Sequence, residues 1–386
     1  MIHAAFKLRV VLCLVLVLSI LLLAGCWDYK EIQKAVYTTT IGIDYSDNEY
    51  TIYMQALTFS NVAQREGERP ARHKSVIGTG KGKTMTEAFF DLYKYEQQTL
   101  YWGHIMAVII HENALKQLRV EQFIDLINRY REIRYNLWLF GTNTDIKEIL
   151  NITPNFGYSP SESVLMKPEH NYAQYSSIKP VYFYRFIADY YDRGKNAILP
   201  RINVNNTHWQ EGMEKTPQLV IDGAYIYNRE HLNGYLSTDQ LIGKRYTSPA
   251  SIRLPLTIWL HGKPAATLVL NRPNVNHTFV VKNGKVVFDI SIHISGFIDE
   301  LVQEPNEREV IEAVEKKITE EVRETFRTGK KMKADVYNLG TVLFRYHYRD
   351  WQRYILPHPD MSTVELDNVT VKFQLKYSGK YKNRLS

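Results

Sequence analysis

Residues 10–24 form an apolar run broken only by Cys13 and Ser19, with Lys7 and Arg9 ahead of it and Ala24-Gly25-Cys26 at its end. A basic n-region followed by an h-region of this length is too short for a comfortable membrane-spanning helix and reads as an export signal. Small residues before a cysteine are the pattern that lipoprotein processing recognises. The expectation is therefore a signal peptide over residues 1–25, cleavage before Cys26, and a diacylglycerol on the Cys26 thiol. Each buried CH₂ of an acyl chain adds about 0.8 kcal/mol, so several chains hold a protein firmly on a bilayer. A buried hydrophobic helix or a simple membrane anchor that happens to end in cysteine is the competing reading. It leaves the agreement of charge, run length and small residues unexplained.

This start limits everything after it. Cys13 and Cys26 are the only cysteines of the 386-residue chain, so the mature protein has no thiol to spare and forms no internal disulfide. It has to fold on its hydrophobic core alone. At 45% hydrophobic and 23% charged residues it has the composition to do so, and its length suggests two or three domains. No later run is long enough to cross a bilayer. Formal net charge is +7, of which Lys7 and Arg9 belong to the signal. A mildly basic extracytoplasmic protein suits an anionic lipid surface or wall polymer, and nucleic acid is not an expected partner there.

Hydrophobic periodicity then divides the chain. VYTTTIGIDYS and YTIYMQALTFS alternate around a turn-like DNE and predict a hairpin. Residues 61–74 are polar and read as a loop. Met85, Ala88, Phe89 and Leu92 share one helical face, as do Phe123, Leu126, Ile127 and Tyr130. HIMAVIIH and YNLWLFGT read as buried strands, TDIKEIL as a short helix, and residues 153–179, with three prolines, as a surface insertion. An aromatic helix follows in VYFYRFIADYYDRG.

NTHWQEGMEKTPQ reads as a linker, and LVIDGAYIYNREHLNGYLS as a hairpin. Further on, an Asn283-Gly284 turn joins two strands. Ile311, Val314, Ile318, Val322 and Phe326 then mark a helix that Gly329 is expected to stop. A second helix presents Val336, Leu339, Leu343 and Tyr346, and VELDNVTVKFQLKY is a final strand. Strands and helices mix without strict alternation. The expected class is α+β, with three mixed domains, each a largely antiparallel sheet with packed helices: an N-terminal domain over 26–205, a small middle domain over 206–262, and a C-terminal domain over 263–386 with two consecutive helices.

The chain carries fragments of catalytic signatures, none of them complete. SVIGTGKGKTMTEAFF offers Gly82, Lys83 and Thr84, but a phosphate-binding loop needs a glycine five residues before Gly82, and Ile77 stands there. Thr84 and Glu87 have the spacing of a helix capping box, which is a competing use for the threonine. HENAL starts like a zinc-protease motif but has Leu115 where the second histidine belongs. His104 and His111, seven apart on an expected strand, would point to opposite faces. Neither a nucleophile elbow nor a paired-carboxylate arrangement is visible, and Asp299 and Glu300, as strand neighbours, diverge. No catalytic residue, metal site or cofactor is expected. Of the 27 tyrosines, Tyr172, Tyr175, Tyr182, Tyr184, Tyr190 and Tyr191 crowd one segment. The helical part reads as a core stripe through Phe183, Phe186, Ile187 and Tyr190, the loop before it as a surface for a partner.

In order and spacing, LLLAGCWDYKEIQ, GIDYSDNEYTIYMQ, GKGKTMTEAFFDL, WGHIMAVIIHENAL and REIRYN, with ADVYNLGTVLFRYHYRDWQRY and VTVKFQLKYSGK near the C-terminus, resemble the Ger(x)C spore germination lipoproteins. The resemblance covers nearly the whole mature chain. It implies the C subunit of a nutrient germinant receptor, non-enzymatic, three-domain α+β, and lipid-anchored through Cys26 on the outer face of the inner spore membrane. Its implied partners are an A subunit with membrane spans and a permease-like B subunit. The YSPSESVLMKPEHNYAQYSS and GKRYTSPASIR stretches depart from the family pattern. The rival from another class, a solute-binding lipoprotein, requires two similar α/β lobes around a cleft.

Overall fold

The glycine-rich stretch shows how closely local packing governs this chain. In the computed structural model, which describes residues 36–57, 75–117, 120–228 and 231–376 together with Phe6, residues 10–16 and Ser19, Val76–Gly82 is an edge strand (β3) and Met85–Tyr95 a helix (α1) folded back on it. Thr84 caps the helix by accepting from the Glu87 amide at 3.1 Å, while the Glu87 carboxylate reaches back to the Lys83 amide at 2.8 Å. This is the expected capping exchange with its second bond one residue earlier than in the usual box. A Cβ on Gly80 would stand 2.1 Å from the Ala88 carbonyl oxygen, and one on Gly82 2.5 Å from the Ala88 nitrogen. The glycines let a helix backbone lie against a strand backbone. As the helical spacing predicts, Met85, Ala88, Phe89 and Leu92 are the buried residues.

β3 is the rim of a nine-stranded mixed sheet ordered β11-β10-β7-β6-β5-β1-β2-β3, with the short β4 (Leu100–Tyr101) beside β1. Its members are β1 (Val36–Ser46), β2 (Glu49–Leu57), β5 (Ala107–His111), β6 (Trp138–Thr142), β7 (Asn196–Asn205), β10 (Gln218–Asn228) and β11 (His231–Ser237). The flanks are antiparallel, and the centre from β1 through β5 and β6 to β7 is parallel. The central strands are buried on both faces, as parallel strands must be. Val108, Ile110 and Leu139 face α1, α3 (Val120–Arg129) and α6 (Phe183–Tyr191). Ala107, Ile109 and Phe140 face the short helix α4 (Ile146–Asn151) and residues 164–166. Gly42 admits α4, since a Cβ there would lie 2.3 Å from Ile146.

The second sheet, β12-β13-β14-β15, is antiparallel except for its last pair. β13 (Lys263–Lys282) and β14 (Lys285–Leu301) turn at Asn283 and Gly284, both at positive φ, the conformation that Asn-Gly favours. The helix Glu307–Lys331 (α7) covers one face through Val310, Val314, Ile318, Val322 and Phe326. Asn306 and Glu309 close a full capping box at its start. α8 (Gly340–Tyr346) and β15 (Val364–Leu375) complete the unit, with β12 (Leu254–Leu260) at the other edge.

The α+β class read from the sequence holds, while several details differ. Gly329 lies buried inside α7, where a Cβ would meet Ala334 and Val336 at 2.9 Å, so it is a contact point and not a stop. Ile311 is only half-buried and Tyr346 is 77% exposed. Residues 153–179 contain the helix α5 (Pro168–Gln174) and bury Leu165, Met166 and Ile178, so the insertion packs as well as exposing surface. Residues 206–262, expected as a small middle domain, send strands into both sheets. β10 pairs with β7 along ten residue pairs and carries β11 with it, while β12 pairs with β13. The physical reason is the alternation of β10: Ala224 and Ile226 belong to the second core and Tyr225 and Tyr227 to the first. Between β7 and β10 only a two-residue-strand hairpin, β8 (Gln210–Glu211) with β9 (Glu214–Lys215), stands where a linker was expected.

The clash distances make a direct prediction. Gly80→Ala should lower folding stability by about 1–3 kcal/mol, as overpacking does, whereas Lys83→Ala should change it by less than about 0.5 kcal/mol. Chemical denaturation of both variants checks this. Equal effects would reject the packing account of the glycine stretch.

A candidate functional cleft between the two sheets

A cavity of about 700 Å³ lies between the sheets, walled by Trp138, Tyr172, Tyr182 and Tyr184 on one side and Lys244 and Arg245 on the other. It brings together the two stretches that the sequence marked as departures from pattern. Ser176 stitches them: its amide donates to the Arg253 carbonyl at 2.9 Å, and its Oγ accepts from the amides of Ile252 and Arg253 at 3.1 and 3.2 Å. Tyr172 Oη lies 3.2 Å from Ser251 Oγ.

The tyrosines divide as their positions require. Phe183, Phe186 and Tyr190 are core, matching the expected stripe apart from Ile187, which is half-buried. Tyr184 is 52% exposed at the cleft rim, and Tyr182 stacks on Trp138 with centroids 3.6 Å apart. Burial, then the charge of Glu169, which accepts a hydrogen bond from it at 3.1 Å, pushes the Tyr182 hydroxyl up to about 12.

The opposite wall is cationic. Arg245 is 4% exposed and donates to Tyr246 Oη at 2.7 Å; that hydroxyl donates in turn to Glu321 at 2.7 Å. Desolvation holds the Lys244 amine down to about 8, against the pull of Asp335 and Asp189. No described carboxylate lies within ion-pair distance of it. Its ring contact is Tyr337, 5.9 Å to the centroid. A cavity of this size with aromatic side chains on one wall and polar and charged groups of both signs around it, Lys244 and Arg245 facing Glu169 and Asp189, suits a ligand or loop with a polar, charged group on an apolar body.

Of the other residues singled out, Cys26 lies outside the described residues. His104 precedes β5 and packs 4.9 Å from the Tyr37 ring. His111 ends β5 beside Asp44 of β1, with Nδ1 3.0 Å from Oδ1. They do not meet, and among the described residues no three ligands gather for a metal. The Asp44–His111 pair was missed because it joins strands 67 residues apart through the β1–β5 register. The Asp44 hydrogen bond raises the His111 pKa against burial. For Asp44, burial pushes upward but the bond and charge of His111 prevail and lower it.

With the geometry in hand, the chain was compared with known proteins. A model described as "Spore germination protein N-terminal domain" matches residues 28–204, and one described as "Spore germination B3/ GerAC like, C-terminal" matches 222–379. The chain belongs to the Ger(x)C family of spore germination proteins. Spore germination protein KC of Bacillus subtilis (strain 168) is 22% identical over 89% of both chains. Spore germination protein B3 of the same organism is 25% identical over 76% of this chain and 75% of its own. The crystal structure of the GerBC protein superposes with a TM-score of 0.52 at 17% identity, covering 90% of this chain and 99% of that one, which supports the fold. The C-terminal family model begins inside β10, a strand that belongs to the first sheet.

Two titrations follow. A raised histidine pKa gives stability that is fully present below the unfolded value near 6.5 and is lost as pH rises through the folded value. His111→Gln should therefore cost on the order of 1 kcal/mol near pH 6 and progressively less toward pH 9. A cost that is flat across that range would reject the ion pair. For Lys244 the sign reverses: between about 8 and 10.5 the unfolded chain binds more protons than the folded one, so stability rises with pH. Relative to Lys244→Met, the wild type should gain stability across that window, which thermal melts at fixed pH would read.

Proposed function

We propose that this chain is a non-enzymatic, lipid-anchored subunit of a spore nutrient germinant receptor, needed for the response to germinants. It would be held by acylated Cys26 on the outer face of the inner spore membrane, beside an A subunit with membrane spans and a permease-like B subunit. The observation that carries the reading is the ordered match of both halves to spore germination family models. The names of the relatives agree with it, and so does the sequence start, where small residues precede Cys26 at the end of an apolar run. The described helices include none long and apolar enough to cross a membrane, which is compatible with an anchored subunit.

The solute-binding alternative is less well supported. Its two lobes should be alike, whereas here a nine-stranded mixed sheet faces a four-stranded one covered by a single long helix. Within the proposed role, the aromatic and cationic cleft is the region most suited to contact with a partner subunit or ligand. The departure of its walls from the family pattern would make such contact specific to this receptor.

Tagged protein should co-purify from gently solubilised spore membranes with a permease-like protein and a second membrane subunit. Recovery of the chain alone under several mild detergents would reject the stable complex. Separately, Cys26→Ala, expressed with its signal removed and without partners, should move from the membrane to the soluble fraction. Retention on the membrane would reject the anchor.

A further inference from the structure

The end of the first sheet at which the chain enters carries a group of exposed aromatic and apolar side chains. The strand register defines that end: Tyr37 pairs with Leu57, Ala56 with Val76, Val36 with Leu100, and the start of β5 with the start of β6. α1 runs back along β3, with Leu92 over Gly78, so its last residues also arrive there. The Tyr184 and Phe183 amides donate to the carbonyls of Tyr135 and Leu137, which brings the start of α6 to the same place. The side chains exposed there are Val76 (55%), Tyr95 (79%), Met106 (39%), Tyr135 (51%) and Tyr184 (52%). Lys94, Arg131, Arg134 and Arg185 are exposed among them. The acids near them are engaged: Asp91 pairs with Lys94, Asp189 with Arg185, Glu132 accepts from the Trp102 amide and Glu96 from the Gln98 amide, which leaves Arg131 and Arg134 as the cations for a headgroup. The opposite end carries the Asp47-Asn48 turn beside the Asp44–His111 pair and, beyond the end of β7, the exposed Phe156, Trp209 and Met213, so what separates the two ends is where the chain enters the sheet.

The chain enters the sheet at the aromatic end. β1 begins at Val36, about ten residues after Cys26, a tether of at most roughly 35 Å when fully extended. Amphipathic aromatics interspersed with arginine and lysine are the composition of a bilayer interface, where rings sit at headgroup level and cations meet anionic lipids. We infer that the end of the first sheet bearing Tyr95, Tyr135 and Tyr184 lies against the headgroup region of an anionic bilayer. This rests on the anchoring proposed above and adds an orientation to it. Tyr184 also lines the cleft, so the cleft borders the membrane-facing side.

The test uses the full, acylated chain. Once Cys26 carries lipid, no other cysteine remains in the mature protein, so Tyr95→Cys, Tyr135→Cys or Asn48→Cys each give a single labelling site. Each variant is labelled with a polarity-sensitive dye and reconstituted into phosphatidylcholine–phosphatidylglycerol vesicles containing headgroup-level spin-labelled lipid. Labels at 95 and 135 should lose roughly half their fluorescence to the quencher while the label at 48 loses little. Arg131→Glu with Arg134→Glu should reduce that quenching. If the protein floats with the vesicles but labels at 95 and 135 are quenched no more than the label at 48, the orientation is overturned and the anchor stands. If the acylated chain does not float with vesicles at all, the anchor is overturned and the orientation with it.

Discussion

Asn196 holds the two sheets in one relationship. It opens β7 at 4% exposure, and all its polar groups are used at the junction. Its amide donates to Asn338 Oδ1 at 2.8 Å, its Oδ1 accepts from the Asp335 amide at 2.8 Å, and its Nδ2 donates to the Tyr227 carbonyl at 3.0 Å. Removing the side chain would strand buried donors and acceptors from both units, at about 1–3 kcal/mol each. Two further asparagines of the first sheet, Asn228 and Asn233, donate to the Lys333 carbonyl. The turn after α7 is thus fixed by amide side chains that can each donate and accept. Lys333 and Asn338 hold positive φ within it. The cleft depends on this junction, since Asn196 and Asn338 line it together with Lys244.

What the sequence made legible is what local spacing determines. The buried face of α1, the face of α3, the Asn283-Gly284 turn and the β10–β11 hairpin all follow from periods of 3.6 and 2 and from turn chemistry within a dozen residues. What it concealed is set by distant partners. A glycine after an apolar stripe signals a helix end when nothing packs there, and Gly329 continues its helix because Val336 packs on it. A proline-bearing insertion reads as surface until Ile178 is seen buried in the second core. The cleft was not legible, because Tyr172 and Ser251 are 79 residues apart.

The two walls of the cleft also differ in how they are held, and that bears on their chemistry. The aromatic wall is fixed by stacking and by a hydroxyl–carboxylate bond, both tolerant of small displacements. The cationic wall is held by the desolvated chain from Arg245 through Tyr246 to Glu321, anchored on α7. Such a chain loses more than the sum of its bonds when one member moves, because the remaining groups stay buried without partners. The cationic wall is therefore the one whose parts depend most on one another, and the aromatic wall the one held by separate, weaker contacts.

β10 explains why the architecture resists division into separate units. Its odd-numbered tyrosines 225 and 227 fill the first core and its even-numbered Ala224 and Ile226 the second, so the strand is a wall common to both. Arg201 grips it from β7 with a forked pair of bonds to Asp222, at 2.8 and 2.5 Å. A strand with one wet face can tolerate a register error on that face. Here a shift of one residue would drive tyrosine rings into space shaped for alanine and isoleucine, and pull the small residues into the aromatic core. Both cores would lose their packing at once. The register of one strand is thus specified twice, once by each core, and the position of the cleft between the sheets is specified with it.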